Sequence, residues 1–324
     1  MSKVKTIGVL TSGGDAPGMN ACIRAVVRYA LHNGLKVKGI KRGYAGLLEE
    51  EIFEFTHRSD VAEIIHRGGT ILFTARSKEF FEDEYRKKGA EIIKKHEIDA
   101  LIVIGGNGSY KGAEDLAKLG INVIGLPGTI DLDIGSTEYT IGFDTSVNIV
   151  MDAINRIRDT SNSHERCSLV EVMGRHAGHI ALWAGIAGGA DLILLPEHKD
   201  TITDDDIVHA VLEDKRADHT HSLIVVAEGF GGSDRLAKLI EERTGIETRS
   251  TTLGYLQRGG SPTALDRVHA TMMGVKAVEV LLEGKENRII NYRNGKYIDD
   301  DIHEANQMIK GIDENMYEIS KIVG

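Results

Sequence analysis

Residues 101–116 read LIVIGGNGSYKGAEDL, and this stretch decides the fold class. The apolar run 101–104 predicts a buried strand, the glycines after it predict a turn, and a helix is expected from Lys111 onward. Backbone amides at such a turn, with the positive end of a helix behind them, suit an anionic phosphate group. Asn107 stands out in this loop, because phosphoryl transfer normally requires carboxylates to hold Mg²⁺.

The same succession of apolar strand, glycine turn and helix recurs along the chain. It returns at 6–30 and 222–242, and further short strands are predicted at 121–128, 167–174 and 192–197. Apolar strands that alternate with helices indicate parallel sheets covered on both faces. We therefore expect two doubly wound, Rossmann-like α/β domains with mainly parallel sheets, whose ligands bind at the carboxyl ends of the strands.

Composition restricts the possible functions. The 324 residues are 41% hydrophobic and 27% charged, which is typical of a soluble globular protein. A net charge of −10 argues against a general nucleic-acid or anionic-membrane binder. Cys22 and Cys167 are too few for a disulfide framework, which favours a reducing cytoplasm. The start of the chain lacks a signal-peptide core, and the glycine-broken stretch 180–196 predicts a helix end and a strand, not a membrane span.

Two of the glycine turns permit other interpretations. Residues 13–20 approach the Walker pattern, but Met19 and Asn20 stand where Lys and Ser/Thr are required. The alternative is a tight turn before a helix with Pro17 in its first turn. Residues 105–112 also resemble a dinucleotide fingerprint, but the next strand ends without the acidic residue that would hold a ribose. A hydride-transfer enzyme is thus the weaker interpretation.

Carboxylates, histidines and arginines supply the remaining candidates. Asp131 and Asp133 follow a predicted strand, where one can accept a proton and the other support a metal, or both can serve as turn residues. His176 and His179 could bind zinc, but no third ligand is evident, so solvated or capping histidines are favoured. Arginines beside the glycine turns favour an anionic ligand. They are Arg24, Arg28, Arg166, Arg175, Arg249 and Arg258.

Several long motifs are similar to those of the bacterial ATP-dependent 6-phosphofructokinases, and they are collinear over essentially the whole chain. They are LTSGGDAPGMN (10–20), RGGT (67–70), GSY (108–110), PGTID (127–131), IGFDT (141–145), RDTSNSHER (158–166), VEVMGRHAG (170–178) and LGYLQRGGSPTALDR (253–267). The resemblance implies phosphorylation of the 1-hydroxyl of fructose 6-phosphate by MgATP. It also implies a cytoplasmic homotetramer of two-domain subunits, with substrate and effector sites completed across subunit interfaces.

The resemblance further implies roles for individual residues. Asp131 would be the general base, assisted by Thr129 and Asp133, and Arg175 would steady the phosphoryl group. Asn107 and Asp133 would be the metal positions. The nucleotide-binding positions are Gly14, Arg76, Ser77, Gly106, Asn107, Gly108 and Ser109. The sugar-phosphate positions are Thr129, Ile130, Asp131, Met173, Gly174, Arg175, Glu228, Tyr255, Leu256, Gln257 and Arg258, with Arg166 and Arg249 reaching in from a neighbouring subunit.

The implied ATP-binding domain comprises 1–142 and 257–306, and the implied sugar-phosphate-binding domain comprises 143–256 and 307–324. An effector site for a nucleotide or phosphoenolpyruvate is implied as well. Its positions are Arg24, Arg28, Arg58, Arg158 and Asp191, the last in place of a glutamate. Lysines expected before the strand at 222 are missing, and residues 217–221 read ADHTH instead.

Nucleotide choice and activity depend on a few positions. Pyrophosphate-dependent relatives carry Asp where Gly108 stands and Lys where Gly128 stands, so the two glycines favour ATP. The family has Asp at Asn107, Asn at Leu132 and His at Tyr255. We expect an active kinase, impaired by Asn107. The alternatives are a regulatory subunit that binds sugar phosphate without turnover, and a kinase of a related sugar phosphate permitted by Tyr255.

Overall fold

The computed structural model describes residues 4–216 and 221–324, apart from the side chains of 214–216. The strands are β1 Thr6–Thr11, β2 Lys36–Ile40, β3 Ile52–Phe55, β4 Ala100–Gly105, β5 Asn122–Pro127, β6 Cys167–Val172, β7 Leu192–Leu194, β8 Ser222–Ala227, β9 Thr248–Thr252, β10 Arg288–Arg293 and β11 Lys296–Asp301. The helices are α1 Met19–His32, α2 Gly43–Leu48, α3 Asp83–Lys95, α4 Asn107–Lys118, α5 Phe143–His164, α6 His179–Gly188, α7 Asp204–Arg216, α8 Ser233–Thr244, α9 Ala264–Leu282, α10 Ile302–Gln307 and α11 Glu314–Val323.

The chain divides into two compact units. Unit 1 consists of Met1–Ile130, Ile134–Thr145 and Arg258–Lys310. Unit 2 consists of Asp131–Asp133, Ser146–Gln257 and Gly311–Gly324. Each unit is built on its own sheet, and the α/β fold class predicted from the sequence is confirmed.

The sheet of unit 1 has the strand order β11-β10-β5-β4-β1-β2-β3. Its five central strands are parallel, while β3 and β11 pair antiparallel at the two edges. Every residue of β1 and β4 is buried, as expected for strands covered by helices on both faces. Gly105 pairs with Pro127, and the amide of Ser12 donates to the carbonyl of Ile104 at 3.0 Å. The carboxyl ends of β1, β4 and β5 therefore meet at one edge of this sheet.

The sheet of unit 2 has the order β7-β8-β6-β9, and all its described pairings are parallel. The central strands β6 and β8 contribute Leu169, Ile224 and Val226 to a core that helices α7 and α8 cover with Val211 and Leu236. Strand β9 reads TRSTT and is largely exposed, as is common for an edge strand.

Two helix starts differ from the sequence prediction. Helix α4 begins at Asn107, four residues before the expected Lys111, because the extended backbone of Gly106 caps it. The amides of Ser109 and Tyr110 both donate to the carbonyl of Gly106, at 2.9 and 3.1 Å.

Helix α1 begins at Met19, so Pro17 lies in the preceding turn and not in the first helical turn. Gly18, with φ of 104°, occupies the capping position. The stretch 180–196 was predicted to form a helix end and a strand, and it forms nearly all of α6 followed by the strand β7, of which Ile193 and Leu194 are buried. Within 4–216 and 221–324, no helix is long and apolar enough to cross a membrane.

Candidate active site

The turn between β4 and α4 is closely packed on one side and open on the other. A Cβ at Gly105 would lie 2.4 Å from Ser109 Oγ and 2.5 Å from the carbonyl oxygen of Ser12, so this position admits only glycine. The hydroxyl of Tyr44 donates to the carbonyl of Ser109 at 2.7 Å and fixes the first helical turn. By contrast, among the residues that the structure describes, a Cβ at Gly108 would have no heavy atom within 4 Å apart from its chain neighbours and the backbone of its own helix. This arrangement is a rigid backbone turn with free space above it.

The turn after β1 lies beside this one. The hydroxyl of Thr74 donates to the carbonyl of Gly13 at 2.7 Å. A Cβ at Gly14 would lie 2.9 Å from Nη1 of Arg258, so the guanidinium group rests directly on this glycine. The structure thus brings together Gly14, predicted for the nucleotide, and Arg258, predicted for the sugar phosphate.

Arg76 and Ser77 lie in the segment that follows Thr74. Arg76 is exposed, so its charge is available at the surface of unit 1. The hydroxyl of Ser77 accepts from the amide of Phe80 at 3.2 Å and is 3.1 Å from a carboxylate oxygen of Glu79. Ser77 therefore also organises the short 3-10 turn Glu79–Phe81.

The loop after β5 carries the candidate base. The amide of Gly128 donates to the carbonyl of Gly105 at 3.0 Å, and a Cβ at Gly106 would lie 3.5 Å from Thr129 Cβ. Thr129 therefore flanks the β4–α4 turn. A Cβ at Gly128 would lie 2.9 Å from Ile104 Cγ2 and 3.1 Å from Met19 Cε, so core packing is a further reason for this glycine.

Asp131 and Asp133 are both partly buried. The residue between them, Leu132, is 5% exposed and has φ of 55°, in the left-handed region that non-glycine residues seldom occupy. The family has Asn here, a residue that tolerates this conformation better than Leu.

In unit 2 the predicted sugar-site residues gather at the carboxyl ends of β6, β8 and β9. The amide of Glu228 donates to Val172 at 2.8 Å. The amide of Met173 donates to the side-chain carbonyl of Gln257 at 3.1 Å, and the amide nitrogen of that side chain donates to Gly254 at 3.0 Å. Gln257 is fully buried, so it organises the backbone of this site.

Three other members of the predicted sugar site are exposed, namely Arg175, Tyr255 and Leu256, whereas Gly174 is buried. Arg175 is exposed, and its carbonyl would lie 2.2 Å from a Cβ at Gly229, which brings the loops after β6 and β8 together. Gly174 has φ of 137°, and a Cβ there would lie 2.5 Å from the carbonyl of Ala177. Tyr255 is 80% exposed and lies on the 3-10 turn Gly254–Arg258 together with the exposed Leu256.

Arg166 and Arg249 share one carboxylate within unit 2. Nε of Arg166 is 2.7 Å from Oε2 of Glu247, and Nη2 of Arg249 is 2.5 Å from Oε1 of the same residue. The hydrogen bond from Arg166 holds the pKa of Glu247 below its usual value. The two arginines predicted to reach a neighbour's substrate therefore lie side by side.

The predicted effector residues fall into two groups. In unit 1, Arg24 and Arg28 lie on α1, and Nε of Arg28 donates to the carbonyl of Arg58 at 3.2 Å. Partial burial, and then repulsion from Arg28 and Arg58, lower the pKa of Arg24. In unit 2, Arg158 donates to the carbonyl of Gly189 at 3.0 Å, while Asp191 accepts from the amide of Leu223 at 2.6 Å. Of the segment 217–221, which stands in place of the lysines expected at the effector site, residues 217–220 lie outside the described part of the chain.

Sequence reasoning did not single out Asp266, which is fully buried on α9. The signal was present, because Thr263 and Asp266 have the Thr-x-x-Asp spacing of a helix start, and the hydroxyl of Thr263 caps the amide of Asp266 at 3.3 Å.

The zinc alternative finds no support, since His176 is exposed in a loop and His179 is buried at the start of α6. In the described parts of the chain, no three His, Cys, Asp or Glu residues form a cluster that could hold a metal.

Glycine turns at the carboxyl ends of parallel strands, with Asp131 in the adjoining loop, are typical of an α/β phosphotransferase. The sequence profile described as "PFK: Phosphofructokinase" matches residues 6–281. The chain belongs to the phosphofructokinase family, as its motifs predicted.

Individual relatives are similar over nearly the full length of this chain. The ATP-dependent 6-phosphofructokinase of Clostridium novyi (strain NT) is 58% identical over 320 residues, which cover 99% of both chains. ATP-dependent 6-phosphofructokinase 1 of Clostridium perfringens is 57% identical with the same coverage. The structure of Pichia pastoris phosphofructokinase in the T-state superimposes with a TM-score of 0.87 at 36% identity, over 99% of this chain and 39% of that longer chain.

Proposed function

We propose that the chain is an ATP-dependent 6-phosphofructokinase, which transfers a phosphoryl group from ATP to the 1-hydroxyl of fructose 6-phosphate. The product is fructose 1,6-bisphosphate, and the reaction is a step of glycolysis. The 58% identity to a relative of this name, over 99% of both chains, carries the proposal. The regulatory-subunit and altered-substrate alternatives are not favoured by these relatives.

The chain's own residues supply a base, a positive charge and a phosphate cradle. Asp131 removes the proton from the attacking hydroxyl, with Thr129 and Asp133 supporting it. Arg175, exposed in unit 2, balances the negative charge that develops on the phosphoryl group. The backbone of 105–109 and the first turn of α4 receive the ATP phosphates, together with Gly14, Arg76 and Ser77.

We propose Mg²⁺ as the accompanying ion, held by oxygen atoms of Asn107 and Asp133. Both donors are of the kind that Mg²⁺ prefers, and Asn107 is exposed at the start of α4. When bound, Mg²⁺ neutralises charge on the β- and γ-phosphates. An amide offers only a dipole where the family has a full charge, so we infer a weakened metal site.

ATP is the proposed donor, because the space above Gly108 is open. An Asp side chain at this position would project into the volume that a nucleotide α-phosphate needs. Comparing initial rates with ATP and with pyrophosphate tests this point. Faster turnover with pyrophosphate would contradict the steric argument.

Fructose 6-phosphate is the proposed acceptor, bound by the loops after β6 and β8 and by the turn at Gly254–Arg258. We infer a homotetramer, since Arg166 and Arg249 reach substrate only if a neighbouring subunit presents it. The arginines on α1 and at Arg58 support a site for a nucleotide or phosphoenolpyruvate effector, with a response altered by Asp191 and by 217–221. We propose a cytoplasmic enzyme that requires neither nucleic acid nor a membrane.

A coupled assay of the purified chain with fructose 6-phosphate, ATP and a Mg²⁺ series tests the proposed function. We expect turnover that rises with Mg²⁺ and saturates with both substrates. Binding of fructose 6-phosphate without turnover at any Mg²⁺ concentration would favour the regulatory-subunit alternative. Turnover of a different sugar phosphate in preference would favour the altered-substrate alternative.

A further inference from the structure

Asp266 is a fully buried carboxylate that the proposed reaction does not use. Both of its oxygens are saturated with donors from one segment of unit 1. The hydroxyl of Tyr139 and the amide of Gly142 donate to Oδ1, at 2.6 and 2.7 Å. The amide of Thr145 donates to Oδ2 at 2.8 Å, and the hydroxyl of Thr145 donates to the same oxygen. One side chain thus holds the segment 139–145 at three residues, Tyr139, Gly142 and Thr145.

That segment is packed against two parts of the candidate site. Gly142 has φ of 107°, and a Cβ there would lie 2.7 Å from Cβ of Ala16. The same Cβ would lie 3.2 Å from Cδ of Pro17 and 3.2 Å from Cγ2 of Ile130. Ala16 and Pro17 belong to the glycine turn after β1, and Ile130 immediately precedes the proposed base. The backbone of Gly142 therefore touches the phosphate turn and the base loop at once.

Further contacts keep the segment in register. The amide of Ile141 donates to the carbonyl of Pro127 at 2.8 Å, so the segment also pairs with the end of β5. The amide of Thr263 donates to the hydroxyl of Thr145 at 3.0 Å, which attaches Thr145 to the start of α9. All of these contacts lie within unit 1.

We propose that Asp266 is a positioning residue of the phosphoryl-transfer site, which holds Gly142 so that Thr129 and Ile130, the residues that lead into the proposed base, keep a fixed separation from the 13–17 turn. The inference rests on the proposed function, because it assigns a role toward that reaction. Displacement of a reacting group by about 1 Å can lower a rate about 100-fold, so small shifts of Gly142 are sufficient to affect turnover. A merely structural carboxylate would affect unfolding alone.

The test compares Asp266→Asn with a matched control, Asp299→Asn. Asp299, on strand β11 of unit 1, is another acidic residue with a largely buried side chain, which is 8% exposed. Its carboxylate pairs with Lys285 at 2.9 Å and with Arg288 at 2.8 Å. Both variants lose charge-assisted hydrogen bonds, and both should melt earlier. At a temperature where both are folded, we expect kcat of Asp266→Asn to fall about tenfold or more. Its KM values should change less than about threefold, and Asp299→Asn should retain the wild-type kcat.

Two outcomes would overturn the proposal. One is an unchanged kcat in Asp266→Asn, and the other is an equal loss of kcat in the control at the same loss of Tm. An inactive wild-type chain would instead refute the proposed function. Amide hydrogen exchange separates these cases, because the proposal requires faster exchange at 127–131 in Asp266→Asn than in Asp299→Asn, whether or not the chain turns over.

A second pair of variants applies if Asp266→Asn does not fold. Thr145→Val removes the hydroxyl donor and keeps the shape of the side chain, whereas Thr145→Ser keeps the donor. We expect Thr145→Val to lower kcat severalfold relative to wild type, whereas Thr145→Ser should retain the wild-type kcat. Equal kcat values in these two folded variants would contradict the positioning role.

Discussion

Asn107 shows what one atom can change at the start of a helix. The residue is the first of α4, where backbone amides and the helix dipole favour negative charge. A carboxylate at this position would gain from the helix and would attract Mg²⁺ with a full charge. The amide of Asn107 has nearly the same shape as a carboxylate but lacks both electrostatic effects. We therefore expect its effect on catalysis to be electrostatic and limited to the binding of Mg²⁺.

We predict that Asn107→Asp lowers the apparent Mg²⁺ constant and raises kcat by about tenfold, equivalent to about 1.4 kcal/mol. The KM for fructose 6-phosphate should stay unchanged, because its proposed contacts lie elsewhere. Initial rates over a Mg²⁺ series measure both quantities. Asp131→Asn is the control and should be inactive with either residue at 107. If Asn107→Asp is no faster at any Mg²⁺ concentration, Asp133 holds the ion unaided.

Leu132 presents a backbone problem at the same scale. A non-glycine residue in the left-handed region costs about 1–3 kcal/mol, and a β-branched residue is especially disfavoured there. We predict that Leu132→Val lowers both Tm and kcat, because relaxation of φ from 55° would turn the two flanking carboxylates. Leu132→Met keeps an unbranched Cβ and should behave as wild type. Thermal melts and initial rates of the two variants measure the difference, and equal behaviour would show that the conformation is unimportant.

At the scale of elements, helix α4 is attached to α10 through Glu114. Its carboxylate accepts from Asn306 at 2.8 Å, is 2.9 Å from Nδ1 of His303, and pairs with Lys118 at 3.1 Å. Burial alone would raise the pKa of Glu114, but these partners lower it to about 2. Because the folded-state pKa is below the unfolded value, the contact stabilises the protein above about pH 4.5.

We therefore predict that Glu114→Gln lowers Tm by a few degrees between pH 5 and 8, where Glu114 is ionised. The difference from wild type should vanish as the pH falls from about 4.5 toward 2, where Glu114 itself becomes protonated. Melting curves at several pH values measure it. If the Tm difference between Glu114→Gln and wild type grows as the pH falls, ionised Glu114 does not stabilise the folded protein and the prediction is wrong.

The strand-and-helix alternation was predictable because buried parallel strands require continuous apolar runs, such as 101–104. The start of α4 was not, because glycine has a weak helix propensity and its capping role is a matter of backbone geometry. The hairpin of β10 and β11 turns at Asn294–Gly295, both with positive φ, and this Asn-Gly signal was available but not used. For the site, the motifs supplied the candidate residues, whose roles stay predictions. The left-handed conformation of Leu132 and the pairing of Glu247 with two arginines depend on tertiary structure and could not be predicted.

At the scale of the whole molecule, a variant of Arg249 can test whether a neighbouring subunit completes the proposed substrate site. Its side chain is 59% exposed, and exposed ion pairs contribute little to stability. We predict that Arg249→Ala raises the KM for fructose 6-phosphate at least about tenfold, since a charged hydrogen bond contributes about 1.5–3 kcal/mol. Tm should be nearly unchanged.

Arg243 on α8 pairs with Asp205 at 2.6 Å, and Arg243→Ala is the matched control, expected to leave KM unchanged. Sedimentation should show a tetramer for wild type and both variants. A fully active monomer would remove Arg166 and Arg249 from the substrate site.

The strand order of unit 1 also has a consequence for biosynthesis on the ribosome. Strand β5 ends at Pro127, but its sheet neighbour β10 begins only at Arg288, after the long segment Ser146–Gln257 of unit 2. At about 5–20 residues per second, the outer edge of β5 remains without its partner for roughly 10–30 s of translation. An unpaired parallel edge invites pairing with other nascent chains. The nascent enzyme should therefore depend on chaperones during this interval, and less so once residue 301 has emerged.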